Sequence, residues 1–334
     1  MKKVLGLGLA LAFGVAGMTT ATTAHAASMW PTVEARIAGA DRYETAANVS
    51  KEMAPDGASV VLLASGEGFA DSLGAGAAAK WLGAPVLLTQ RGSLPKSSTA
   101  ELKRLKPTEV IIVGGEVSVS ATVAQEIDAA VETVNRVAGQ NRYETSEKLV
   151  QLIQKRHPLP ADANLVIASG HNFPDALSVT PLAAARKAPL LLVDGKAPAL
   201  SSATKQIVDS INPQHIYIVG GTNSVSTRIE STLPADKVKR LAGKDRYDTS
   251  AAVMLEIGVT ERVVMVSGYA YPDALVGGAY AAHRGLPLLA VDPTCLGNKT
   301  REAMRKLDVD KLIIVGGPSS LLDLIAIGRM CVMP

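Results

Sequence analysis

Arginines recur in this chain in fixed pairs. Arg36 and Arg42, Arg136 and Arg142, and Arg240 and Arg246 occupy the same places in three copies of the block R-x-A-G-x-[DN]-R-Y-[DE]-T. A guanidinium is a planar fork of donors that matches phosphate and carboxylate groups, so six arginines placed alike form a candidate anion site. They are equally able to pair with acids of the same chain, such as Glu44 or Asp71, and spacing alone does not separate the two uses. Part of the block reads as helix-start chemistry: Gly39 permits a left-handed turn, Asp41 caps a helix, and Glu44 completes a capping-box pattern. Asn141 with Glu144 and Asp245 with Asp248 repeat it. That leaves the arginines unexplained, because a cation in a helix's first turn opposes the helix dipole. The tyrosines beside them, Tyr43, Tyr143 and Tyr247, join the candidate site.

A second block runs from Ala64-Ser65-Gly66 to Asp71, from Ala168-Ser169-Gly170 to Asp175 and from Val266-Ser267-Gly268 to Asp273. Each aspartate follows a strand by a few residues and opens an Ala-rich helix, where capping of free backbone donors is its expected role. The same loop lies at the carboxyl end of a strand, where open α/β sheets bind ligands. It also carries an aromatic at Phe69, Phe173, or Tyr269 and again Tyr271, and an acid beside an aromatic is one way to hold a sugar ring.

No catalytic set accompanies these residues. His157, His171, His215 and His283 share no metal-ligand spacing, and Ser65, Ser169 and Ser267 lie outside G-x-S-x-G. The double glycines Gly114-Gly115, Gly220-Gly221 and Gly316-Gly317 do not match G-x-G-x-x-G and read as close backbone packing before a Ser-capped helix. The sequence therefore predicts no catalytic residue, no metal site and no cofactor. Cys295 and Cys331 are either a disulfide, in an exported chain, or two buried thiols.

The elements that position these residues follow from hydrophobic runs. In the first copy the pattern predicts helices over 41–53, 71–82, 95–105 and 119–130, with strands over 59–65, 85–89 and 109–113. Such alternation indicates an α/β fold of three tandem Rossmann-like or flavodoxin-like sandwich modules with mostly parallel sheets. The repeat period is about one hundred residues, long enough for each unit to bury a core of its own. The modules are expected at 34–132, 133–236 and 237–334. The Ala- and Gly-rich helices at 74–80, 181–186 and 277–282 suit either module interiors, the favoured reading, or seams between modules.

Residues 1–26 read as a cleaved secretory signal peptide: Lys2-Lys3, an apolar run from Val4 to Met18, then Ala24-His25-Ala26. No later run approaches spanning length, so no membrane span is expected after cleavage. Cleavage removes two of the 34 basic residues and none of the 31 acids, leaving a net charge near +1. That is too little for a general grip on nucleic acid.

The three ordered blocks, R-x-A-G-x-[DN]-R-Y-[DE]-T, A-S-G to D-A-L, and I-V-G-G, resemble the cell wall-binding repeat 2 family of Gram-positive surface proteins, whose members carry three such repeats in tandem. The resemblance covers residues 34–334. It implies modules packed with pseudo-threefold symmetry, arginines near the grooves between them, and binding of an anionic secondary cell-wall polysaccharide of the teichoic type. A secreted protein held non-covalently at the cell wall, not itself an enzyme, is the function it implies. Family members usually join the repeats to an effector, so the alternative is a modifier or subunit of an N-acetylmuramoyl-L-alanine amidase type wall hydrolase. A carrier of a small anionic metabolite is a third possibility. Val266, in place of Ala, and the two cysteines set the third unit apart, so the sequence suggests a weaker or purely structural site there.

Overall fold

The computed structural model describes residues 30–258, 260–323 and 327–331, so the signal-peptide segment 1–26 lies outside the described residues. The first stretch comprises β1 (Thr32–Ile37), α1 (Arg42–Met53), β2 (Val60–Ser65), α2 (Ala75–Leu82), β3 (Val86–Thr89), α3 (Lys96–Leu105), β4 (Glu109–Val113) and α4 (Ala121–Asp128). The second comprises β5 (Thr133–Val137), α5 (Arg142–Arg156), β6 (Leu165–Ser169), α6 (Phe173–Ser178), α7 (Thr180–Ala185), β7 (Leu190–Val193), α8 (Ser202–Ile211), β8 (Ile216–Val219) and α9 (Thr227–Glu230). The third comprises β9 (Val238–Leu241), α10 (Arg246–Ile257), β10 (Arg262–Ser267), α11 (Tyr271–Arg284), β11 (Leu288–Val291), α12 (Asn298–Lys306) and β12 (Lys311–Val315).

The strands form three four-stranded sheets, ordered β3-β2-β4-β5, β7-β6-β8-β9 and β1-β12-β10-β11, with every pairing parallel. This is the three-module α/β architecture that the alternating runs predict. Val61, Leu62, Leu63 and Ala64 of β2 are all 0% exposed, the continuous burial that a parallel sheet covered on both faces demands.

The sequence pattern missed the fourth strand of each sheet. β1, β5 and β9 open the three repeats, yet each pairs with the sheet of the repeat before it: β5 with β4 and β9 with β8. For β1 the preceding sheet is that of the third repeat, and Ile37 lies opposite Val315 of β12. Sheets therefore change over one strand later than the repeats expected to begin at 133 and 237, and the N-terminal strand closes the three modules into a ring.

Each module keeps an outer apolar cluster, around Ile112 in the first, Ile218 in the second and Ile314 in the third. The inner faces merge into one shared core that includes Leu73, Leu149, Leu177 and Leu275. The Ala- and Gly-rich helices α2, α7 and α11 pack against one another at its centre. A Cβ on Gly76 would stand 3.2 Å from Thr180 Oγ1, and one on Gly278 would stand 3.3 Å from Thr180 Cβ. These helices are seams between modules, contrary to the favoured reading as module interiors, although Gly277 backs onto Val266 of its own module. Small residues are needed because three helices converge where one module alone would bring two layers.

Cys295 and Cys331 form a disulfide. It pins the strap 327–331, whose Arg329 carbonyl accepts from the Leu296 amide at 2.8 Å. Arg301, 5.7 Å from the Trp30 ring centroid, links this corner to the start of β1. Closing a loop of sequence separation 36 is worth about 4 kcal/mol in chain entropy. Reduction with dithiothreitol is accordingly expected to lower the melting temperature by ~5–10 °C, and a Cys295→Ser/Cys331→Ser variant to melt at the reduced value with or without reductant. Identical melts of the native protein under both conditions would contradict this.

Candidate functional site

The three R-Y blocks lie where the chain leaves one sheet and enters the next module, at β1–α1, β5–α5 and β9–α10. Asp41, Asn141 and Asp245 cap the helices, each side chain accepting two backbone amides. Glu44 and Glu144 reach back to the Ala40 and Gln140 amides at 2.7 Å, so the capping box closes one residue before the cap. Helix polarity is thus satisfied without the arginines. Arg42, Arg142 and Arg246 instead donate Nη1 to the carbonyls of Gly66, Gly170 and Gly268, at 2.5, 2.6 and 2.8 Å. Those glycines are required by close approach: a Cβ on any of them would fall 2.5–2.6 Å from the neighbouring Tyr43, Tyr143 or Tyr247 ring. The R-Y and A-S-G blocks are therefore one structural unit. Tyrosine and arginine crowd the same glycine, and burial raises the pKa of all three tyrosine hydroxyls.

Phe69, Phe173 and Tyr271, one from each module, converge with ring centroids 5.6, 6.1 and 6.2 Å apart. Arg142 lies 5.5 Å from the Phe69 centroid and Arg246 lies 6.0 Å from that of Phe173, each reaching the ring of the preceding module. Arg42 meets Tyr271 at its hydroxyl instead, where its charge opposes part of the rise that burial imposes on the pKa. Three arginines thus surround an aromatic floor shared by the modules. The sequence marks these aromatics as loop residues, but only the assembled fold shows that they meet.

Asp71, Asp175 and Asp273 do not cap helices as expected. Asp71 makes no cap bond, and its carboxylate accepts from Ser118 Oγ at 2.6 Å and from Thr145 Oγ1 of the next module at 3.0 Å. Asp175 and Asp273 bond Ser224 and Ser320 in the corresponding places. Burial raises both carboxyl pKa values, opposed by those hydroxyls and by the charges of Arg246 and Arg42. The double-glycine turns wrap these carboxylates. Gly114, Gly220 and Gly316 have φ of 113°, 109° and 116°, and a Cβ would stand 2.9 Å from Asp71 Cβ, 2.6 Å from Asp175 Oδ2 and 2.5 Å from Asp273 Oδ2 respectively.

The first arginine of each pair has a different place. Arg36, Arg136 and Arg240 donate to the carbonyls of Gly316, Gly114 and Gly220 at 2.8, 2.7 and 2.7 Å, tying each fourth strand to the turn beside it. Arg36 also pairs with Asp323 at 2.7 Å and Arg240 with Glu230 at 2.8 Å. Burial lowers the pKa of Arg136. Arg42, Arg142 and Arg246, like Arg136 and unlike Arg36 and Arg240, have no acid within 4.0 Å among the described residues. No cluster of three or more potential metal ligands occurs among the described residues.

Between the third module and the first, these parts border a cavity of about 540 Å³, lined by Arg42, Tyr269, Tyr271, Asp273 and Ser320 among others. Its size falls within the ~300–1,000 Å³ of small-ligand sites.

The sequence profile of the family described as Cell wall binding domain 2 (CWB2) matches residues 36–124, 136–230 and 240–325. N-acetylmuramoyl-L-alanine amidase LytC of Bacillus subtilis (strain 168) is 29% identical over 292 residues, which are 87% of this chain and 57% of the relative. Amidase enhancer of the same strain is 30% identical over 258 residues, 77% of this chain and 34% of the relative. The chain thus spans 34–57% of the lengths of these relatives. Among solved structures, Cwp6 from Clostridium difficile matches with a TM-score of 0.80 at 28% identity, over 91% of this chain and 49% of its own. Cwp8 from the same organism matches at 0.77 and 27%, over 88% and 51%.

Proposed function

The chain belongs to the cell wall binding domain 2 family, and we propose that it anchors itself non-covalently to the bacterial wall by binding an anionic secondary wall polysaccharide of the teichoic type. The observation that carries this reading is the threefold set Arg42, Arg142 and Arg246, held by glycine carbonyls beside the shared aromatic floor and with no carboxylate within 4.0 Å among the described residues. A guanidinium has five N–H donors, so one bond to a carbonyl leaves most of its capacity for phosphate or carboxylate. Three such groups on one body bind a repetitive polymer with avidity, since the second and third contacts are intramolecular. In this reading the repeats 34–132, 133–236 and 237–334 are three binding units with no catalytic role. Residues 1–26 direct export, and the protein resides at the cell wall.

Arg36, Arg136 and Arg240, candidates from spacing, take a supporting part here, as do Tyr43, Tyr143 and Tyr247. Asp71, Asp175 and Asp273 shape the junctions. The test is co-sedimentation of the mature protein with the producing bacterium's walls, before and after hydrofluoric acid removes phosphodiester-linked polymers. Binding should fall steeply with salt and vanish from stripped walls. Salt-insensitive binding to stripped walls would instead favour peptidoglycan as the target.

Similarity to an amidase enhancer and to an amidase supports a second reading, in which the chain modifies or accompanies a wall hydrolase of that type. Wall digestion by a purified amidase, with and without this protein, separates the two. Acceleration that survives removal of the polymer favours the second.

A further inference from the structure

We propose that the junction between the third and first modules is a saccharide subsite, which takes a pyranose of the bound polymer where the other two junctions read mainly charge; this rests on the wall-polymer reading. The residue after the A-S-G or V-S-G glycine differs in kind between modules: Glu67, His171 and Tyr269. Glu67 and His171 are tied to the loop after the adjacent strand of their own modules, β3 and β7. Glu67 Oε2 accepts the Arg91 amide at 2.8 Å, and His171 Nε2 meets Asp194 Oδ1 at 2.6 Å. The Tyr269 hydroxyl is also bonded within its module, to Tyr247, but Tyr269 is 61% exposed and its ring, 5.0 Å from Arg246, lines the ≈ 540 Å³ cavity. Tyr271 likewise brings a hydroxyl to a position that is phenylalanine in the other two modules.

The cavity therefore combines what a sugar needs and a bare anion does not. An aromatic plate packs the apolar face of a pyranose, and pockets of this size fix orientation with a few placed polar groups. Asp273, 7% exposed, is an acceptor for ring hydroxyls, Arg42 is a donor, and the Tyr271 hydroxyl, which donates its proton to the Ser65 carbonyl at 3.4 Å, presents its oxygen as a second acceptor. Arg42 equally takes an acidic substituent on the same ring. The third unit, which its sequence marks as the weakest, thus becomes the one that distinguishes one sugar from another.

The test is calorimetric titration of the mature protein with oligosaccharides released from the wall polymer by hydrofluoric acid, which keep the sugars without the phosphate. Free monosaccharides form a second arm. We expect the wild type to bind the oligosaccharides, Tyr269→Ala to weaken binding at least tenfold, and Tyr269→Phe to retain it. His171→Ala, at the equivalent place in the second module, should match the wild type. Equal affinity for monosaccharides would make a soluble sugar the ligand of the same subsite and overturn its assignment to the polymer. If walls bind but neutral oligosaccharides do not, or if Tyr269→Ala binds them as well as wild type, the subsite is wrong while anchoring stands. If neither walls nor oligosaccharides bind, both readings fall.

Discussion

Replacing Arg42, Arg142 and Arg246 together with glutamine is expected to release the protein from walls, with at least a ~1000-fold loss of affinity and loss of the salt dependence. Hydrogen bonds to charged groups contribute about 1.5–3 kcal/mol each, so three junctions account for a loss of that order and each single variant for about tenfold or more. Glutamine is two bonds too short to replace Nη1 at the Gly66, Gly170 and Gly268 carbonyls, but these bonds are only partly buried and involve no acid within 4.0 Å, so the melting temperature should fall by no more than a few degrees. The other three arginines provide the contrast. Arg36, Arg136 and Arg240 hold fourth strands to glycine turns, and Arg36 and Arg240 carry acid partners, so their glutamine variants should lose stability more than affinity. Sedimentation with walls at two salt concentrations, read beside thermal melts, separates the sets. A triple variant that still sediments in a salt-sensitive way would remove Arg42, Arg142 and Arg246 from the site.

The sequence places these six arginines in one class because they share a residue type and a block, and the structure divides them because the block straddles a crossing. Arg36 still belongs to the sheet being left, whereas Arg42 already belongs to the module being entered. The helices and apolar strands were legible because their periodicity is local. The fourth strands were not. β1, β5 and β9 read TVEARI, TVNRV and VKRL, half-polar runs with no continuous apolar stretch, and their pairing with the preceding sheet is a tertiary fact. Asp71, Asp175 and Asp273 were misread for a related reason: their position at a helix start fits a cap, but a serine from the double-glycine turn reaches each carboxylate first. The convergence of Phe69, Phe173 and Tyr271 depends on three modules meeting, which no single repeat encodes.

Removing residues 30–37 is expected to cost about 5 kcal/mol and to open the ring at the third module. The parallel ladder from Thr32 to Ile37 opposite β12 would go, at about 1 kcal/mol per backbone bond. So would the Arg36 bonds to Gly316, Leu321 and Asp323. β12 would become an edge strand whose Leu312, Ile314 and Val315 are now 0% exposed, and an uncovered apolar edge recruits other chains. The truncated protein should therefore melt well below the intact one and associate on size-exclusion chromatography. A synthetic peptide of residues 30–38 should reverse both by adding back the missing strand. An unchanged melt and a monomeric profile would show that β12 does not need its partner. The consequence for binding follows from the connection: β1 leads through Gly39 and Asp41 directly into Arg42, so the strand that closes the ring also fixes one wall of the third junction. Loss of β1 should consequently weaken saccharide binding at that junction before it disturbs Arg142 and Arg246, whose own leading strands, β5 and β9, remain in place.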